Sequence, residues 1–185
     1  LDHLISYLSD ENDNHETKEF NYLALGDSYT IGESLELDDS FPFQLKNRID
    51  KIRNVKIIAK TGWTTGELID TLNSIEFNNK YDFVSLLIGV NNQYRNYDIS
   101  LYEKEFEILL NKAISYSKDI DKVFVLSIPD YGVTPFGLKK KNEISYEIDL
   151  YNQIKKRITK SYNLDFFDIT DISRDAEINK LLIAK

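Results

Sequence analysis

The sequence predicts an α/β domain, a three-layer α/β/α sandwich around a five-stranded parallel sheet. Short apolar runs recur along the chain, and amphipathic stretches of helical length separate them. Strands joined by helices of about ten to twenty residues imply βαβ units and therefore a parallel sheet. Right-handed crossovers then cover both of its faces. The first of them, Tyr22 to Leu25, carries no charge, as a strand buried on both sides does.

Leu1 to Glu19 opens with the apolar Leu4, Ile5 and Leu8, then turns polar from Ser9 to Glu16. This reads as an N-terminal tail or linker. Both histidines, His3 and His15, fall in it and read as solvated tail residues. Residues 20–185 form the domain. Its strands are placed at Tyr22–Leu25, Val55–Ala59, Phe83–Ile88, Val123–Ile128 and Leu164–Phe167. Its helices are placed at Phe43–Ile52, Thr65–Ser74, Leu101–Ser117, Glu143–Tyr162 and, more weakly patterned, Arg174–Ala184. Phe106, Leu109, Leu110, Ala113 and Ile114 recur at three and four residues and mark the buried stripe of the third helix. The arrangement is of flavodoxin-like type.

The 185 residues suit one domain with a substantial core. Hydrophobic residues make up 42% and charged ones 29%, a globular composition with no apolar run of membrane-spanning length. The net charge of -8 argues against a sequence-independent nucleic-acid binder, which needs a basic surface. There is no Cys, so disulfides and thiolate metal sites are excluded. The chain contains no Met and starts at Leu1, which reads as a processed or trimmed product from which any targeting signal has been removed. A secreted, periplasmic or lipoprotein-anchored location is favoured over the cytoplasm.

Three strand ends carry the candidate chemistry. Gly26-Asp27-Ser28 follows the first strand and puts a hydroxyl at the carboxyl end of the sheet, where open α/β sheets bind ligands. As ordinary turn chemistry the same tripeptide needs no function. Gly62, in Thr61-Gly62-Trp63-Thr64-Thr65-Gly66-Glu67, follows the second strand, and lacking a Cβ it lets the backbone N–H approach a ligand. Thr64 or Thr65 can cap the next helix at the same time. Gly89-Val90-Asn91-Asn92 follows the third strand, and Asn91 offers a carboxamide N–H, a known oxyanion donor type. Its plainer reading is a turn whose amides satisfy nearby backbone.

In these three blocks, Gly26-Asp27-Ser28, an isolated Gly62 and Gly89-Val90-Asn91, the chain resembles the SGNH hydrolases, or GDSL esterase/lipase family. The resemblance covers Tyr22 to the C-terminal end. It implies Ser28 as nucleophile, with the Ser28 N–H, the Gly62 N–H and the Asn91 side chain as oxyanion donors. Asn92 stands where the family usually has Asp. The family's Asp-Xaa-Xaa-His, which supplies the base and its orienting carboxylate, has no counterpart before Lys185. The expectation is that it lies beyond Lys185, so that the 185 residues alone would be nearly inactive. Loss in a pseudoenzyme and supply by a partner chain are the alternatives. Asp165, Asp168 and Asp171 read as strand-end and cap carboxylates.

Asp27, Trp63, Asn92, Arg95, Tyr131 and Pro135 are the candidate substrate contacts, the last two in an aromatic Gly- and Pro-containing loop after the fourth strand. The expected activity is hydrolysis of a carboxylic ester, a small acyl group on a sugar or alcohol, through a Ser28 acyl-enzyme. It requires no metal and no cofactor. A thioesterase or lysophospholipase, or a non-catalytic carbohydrate-binding domain, are the rival readings. A nucleotide or flavin binder is disfavoured because the first turn lacks a phosphate-cradling glycine pattern.

Overall fold

The computed structural model describes residues 19–179. The tail expected before Glu19, with His3 and His15, lies outside them. Five strands form one parallel sheet: β1 (Phe20–Gly26), β2 (Ile52–Ala59), β3 (Phe83–Leu87), β4 (Val123–Leu126) and β5 (Asp165–Phe167), in the order β2-β1-β3-β4-β5. The expected α/β architecture is present. Reversal of strand order at β1 leaves its carboxyl end flanked by β2 and β3, where a crevice forms.

The helices are α1 (Ser28–Ile31), α2 (Phe41–Arg48), α3 (Thr65–Ser74), α4 (Val90–Tyr94), α5 (Ile99–Tyr116), α6 (Lys141–Ser161) and α7 (Thr170–Arg174). On one face of the sheet Leu23, Leu25, Leu86 and Val125 pack against Leu68 of α3, the α5 stripe Phe106, Leu109, Leu110 and Ala113, and Ile148 of α6. On the other, Tyr22, Ala24, Phe83 and Phe124 meet Leu45 and Ile49 below α2. Alternate residues of β1 thus enter opposite cores, which explains why Tyr22 to Leu25 read as one apolar run rather than alternating.

Several boundaries differ from the sequence reading. The helix expected at Phe43–Ile52 is α2, which starts two residues earlier with Pro42 in its first turn, where the missing N–H is harmless. Ile52 belongs to β2 instead. β4 ends at Leu126 because the Ile128 N–H is taken by Asn152 Oδ1 at 2.7 Å. The short helices α1 and α4 have too few residues for periodicity to register. The helix expected at Arg174–Ala184 is replaced, as far as Asn179, by α7 and a 3-10 turn at Asp175–Glu177. No helix of the described residues is long and apolar enough to cross a membrane.

A buried polar knot fixes the β4 and β5 ends and the loop after β4. Asn152 Nδ2 donates to Ile128 O at 3.0 Å and to Thr170 Oγ1 at 2.9 Å, while Thr170 Oγ1 and Ser127 Oγ lie 2.7 Å apart. Arg174 reaches Asp130 Oδ2 at 2.9 Å and Asp149 Oδ1 at 2.7 Å, and Asp130 in turn accepts the Gly132 N–H at 2.8 Å. Removing one partner strands buried groups at about 1–3 kcal/mol each. Asn152→Ala is therefore expected to lower the unfolding free energy by about 2–4 kcal/mol, measurable by urea denaturation.

Candidate active site

The register aligns three strand ends, with Gly26 of β1 paired to Ala59 of β2 on one side and to Leu87 of β3 on the other. Ser28, Gly62 and Asn91 follow these ends by two, three and four residues, so all three lie on one edge of the sheet. Gly26 is required there, since a Cβ would lie 2.1 Å from Thr30 Oγ1 and 2.2 Å from Leu87 O. Asp27 then caps α1 by accepting the Tyr29 N–H at 3.0 Å. Ser28, the first residue of α1, is half-buried.

The second segment leaves β2 through Gly62 at φ 83°, a left-handed conformation that favours glycine. Thr64, rather than Thr65, caps α3, with Glu67 completing a capping box. The third leaves β3 through Gly89 at φ 126°, where a Cβ would meet the Tyr102 ring at 2.7 Å.

Side chains tie the second and third segments together. Asn91 Nδ2 donates to Trp63 O at 2.9 Å, and Arg95 Nη2 donates to Gly62 O at 2.7 Å. Arg95 Nη1 also reaches Glu67 Oε2 at 3.3 Å. One N–H of the Asn91 carboxamide is thus spent on holding Trp63, and the second is left for a ligand. Among the described residues neither the Gly62 N–H nor the Ser28 hydroxyl takes a hydrogen bond. A carbonyl oxygen entering this edge would find donors already oriented by the fold.

Two of the expected substrate contacts are buried and hydrogen-bonded to neighbouring elements. Asn92 is fully buried; its Oδ1 accepts the Thr65 N–H at 3.0 Å and its Nδ2 donates to Thr65 Oγ1 at 2.7 Å, so the amide joins α4 to α3. Asp27 is buried and committed to capping α1. Trp63, half-buried, and Arg95, exposed, border the edge. Tyr131 lines a cavity of about 620 Å³ that also includes Arg95. Pro135 is exposed beside it, and its neighbours Phe136 and Gly137 form the wall. Asp168 accepts from Ser127 Oγ at 3.0 Å and Thr170 N at 3.2 Å, which ties its carboxylate to the start of α7.

Sequence reasoning missed Lys155, which is fully buried in α6. Its Nζ donates to Leu126 O at 2.8 Å and lies 5.6 Å from the Phe106 ring centroid. The signal was present, since Lys155 falls in the apolar series Ile144, Ile148, Tyr151 and Ile158. Burial lowers its ammonium to about 7, partly opposed by the Asp27 charge. Burial likewise raises the Asp27 carboxyl to about 7, partly opposed by the Tyr29 N–H and by Lys155.

The profile of the GDSL-like lipase/acylhydrolase family matches residues 24–183. The chain belongs to the GDSL-like lipase/acylhydrolase family. Among solved structures, a member of the lipolytic G-D-S-L family from Veillonella parvula is similar at TM-score 0.68 and 13% identity, over 86% of this chain and 82% of that one. AlinE4, an SGNH-hydrolase family esterase, is similar at TM-score 0.65 and 18% identity, over 94% and 86%. Axe2, an acetylxylan esterase from Geobacillus stearothermophilus, is similar at TM-score 0.62 and 18% identity, over 89% and 83%. No curated protein matches. At such identities the structural likeness speaks for the SGNH fold alone.

The raised Asp27 carboxyl gives this SGNH chain a testable pH dependence. Between the ordinary 3.8 and about 7 the folded form binds the extra proton. The stabilisation from this group is full below 3.8 and is lost as pH rises through about 7. Lys155 acts in the opposite window, its contribution being full above 10.5 and lost as pH falls through about 7. Asp27→Asn preserves the cap type, and urea unfolding from pH 4.5 to 7 is expected to show a flatter stability profile than the native protein.

Proposed function

We propose that this SGNH hydrolase cleaves a carboxylic ester bearing a small acyl group on a sugar or alcohol, through a Ser28 acyl-enzyme. The observation that carries the reading is the joining of Gly62-Trp63 to Asn91 and Arg95 beside the turn that bears Ser28. Ser28 Oγ attacks the ester carbon and the carbonyl π pair moves onto oxygen. The Ser28 N–H, the Gly62 N–H and the second Asn91 N–H hold that oxyanion. Collapse expels the alcohol, which takes up a proton, and water then releases the acid by the same route.

The Ser28 proton needs a base, and the described residues contain no histidine. The family resemblance assigns that role to an Asp-Xaa-Xaa-His, which the described residues do not contain. In its absence only the slow turnover supported by the oxyanion donors and binding is expected. The ester is supported by the likeness to the esterase AlinE4, and the small acyl group on a sugar by the likeness to the acetylxylan esterase Axe2.

In the intact protein, a fluorophosphonate is expected to label Ser28 alone, as read by peptide mass mapping, and Ser28→Ala to abolish both labelling and ester hydrolysis. No label on Ser28 together with retained glycan binding would favour a binding domain instead. Asn91→Ala is expected to lower kcat by about 10²–10³ with little change in KM, since the lost donor acts on the transition state.

A further inference from the structure

The cavity of about 620 Å³ that Arg95 links to the Gly62 segment has a composition that selects its occupant. Tyr94, Tyr131 and Phe136 form an aromatic cluster in it, with ring centroids 5.8 Å apart for Tyr94 and Phe136 and 6.1 Å for Tyr131 and Phe136. Two of these rings are open to solvent, Phe136 at 72% exposure and Tyr94 at 54%. They fill no core, so their faces are free for a ligand.

Charged groups surround the rings, and the key one is oriented from below. The buried Gln93 donates its Nε2 to Glu147 Oε2 at 2.6 Å, which fixes which end of each group faces the other. Glu147 Oε1 makes no hydrogen bond among the described residues and remains an acceptor on the cavity wall. Gln93 Oε1 is buried without a donor, and the same amide lies against the Tyr131 hydroxyl. On the other side Arg95, gripping Gly62 O, spans from the oxyanion segment to the cavity. A volume of this size suits a small-molecule ligand.

We propose that this cavity binds the alcohol half of the ester as a polyhydroxylated ring, such as a pyranose. The ring's C–H face would lie on Phe136 and Tyr94, and a hydroxyl would donate to Glu147 Oε1. A fatty acyl chain is the poorer occupant, because it would strip water from Arg95, Lys139, Lys140, Glu143 and Glu147 and offer no hydrogen bond in return. This rests on the esterase reading above and commits it to a polyol ester over a lysophospholipid or long-chain thioester.

The test compares kcat/KM for mono-O-acetylated methyl glucosides with kcat/KM for ethyl acetate, followed by pH-stat on the intact protein. Phe136→Ala removes an exposed ring and Glu147→Gln is nearly isosteric, so neither threatens folding. Each is expected to lower the glucoside-to-ethyl ratio about tenfold. Saturation-transfer NMR is expected to show methyl β-D-glucopyranoside bound to the Ser28→Ala protein, with the signal reduced by Phe136→Ala. A ratio unchanged in both variants, or a preference for p-nitrophenyl octanoate over acetate, overturns the subsite while leaving the esterase intact. Failure to hydrolyse any ester, with glucoside still bound, overturns the esterase and leaves the subsite standing.

Discussion

The site depends on β1 being hydrogen-bonded on both sides by parallel strands whose ends coincide with its own. Gly26 faces Ala59 and Leu87 at once, so three chain segments must leave the sheet through one narrow opening. Glycines at 26, 62 and 89 make that crowding possible. One avoids a clash with Thr30 and Leu87 O, and the other two adopt positive φ. A shift of β1 by one residue would exchange its two cores and carry Ser28 away from the other segments.

Around that opening the protein divides its polar groups into those that hold and those left free. Asn92, Asp27, Thr64 and Asn152 spend their hydrogen bonds on neighbouring elements. Ser28 Oγ and the Gly62 N–H do not. Asn91 does both, one N–H fixing Trp63 O and the other available. Preorganisation of this kind lets donors act on a developing charge without reorganising at the moment of reaction. Lys155 and Asp27 are buried titratable groups whose charges act on one another, which links the ionisation of the core to the capping of α1.

Much of this was legible in the residues. Short apolar runs marked the strands, free of charge in β1, β3 and β4 and interrupted by Lys56 in β2 and Asp165 in β5, and the stripe from Phe106 to Ala113 marked the face of α5, because burial on both sides and one-sided burial leave different periodicities. The three blocks could be placed on one edge from topology alone. The blocks singled out Asn91 as a donor, but that its neighbour Asn92 turns inward to Thr65 could not be read, since one residue of helical rotation decides it. Nor could spacing reveal that Glu147, from the distant α6, meets Gln93, or that Phe136 stands open while its neighbour Tyr131 is half-covered. Those depend on how α6 and the loop after β4 pack, and long-range packing leaves no local pattern.

The central claim concerns one point in space, the position of an oxyanion above Ser28. A crystal structure of the intact protein carrying a phosphonate on Ser28 Oγ measures it directly. The account predicts a phosphonyl oxygen about 2.7–3.1 Å from both Gly62 N and Asn91 Nδ2, with Asn91 still bonded to Trp63 O. A phosphonyl oxygen turned toward solvent, with those two donors bonded elsewhere, would contradict it.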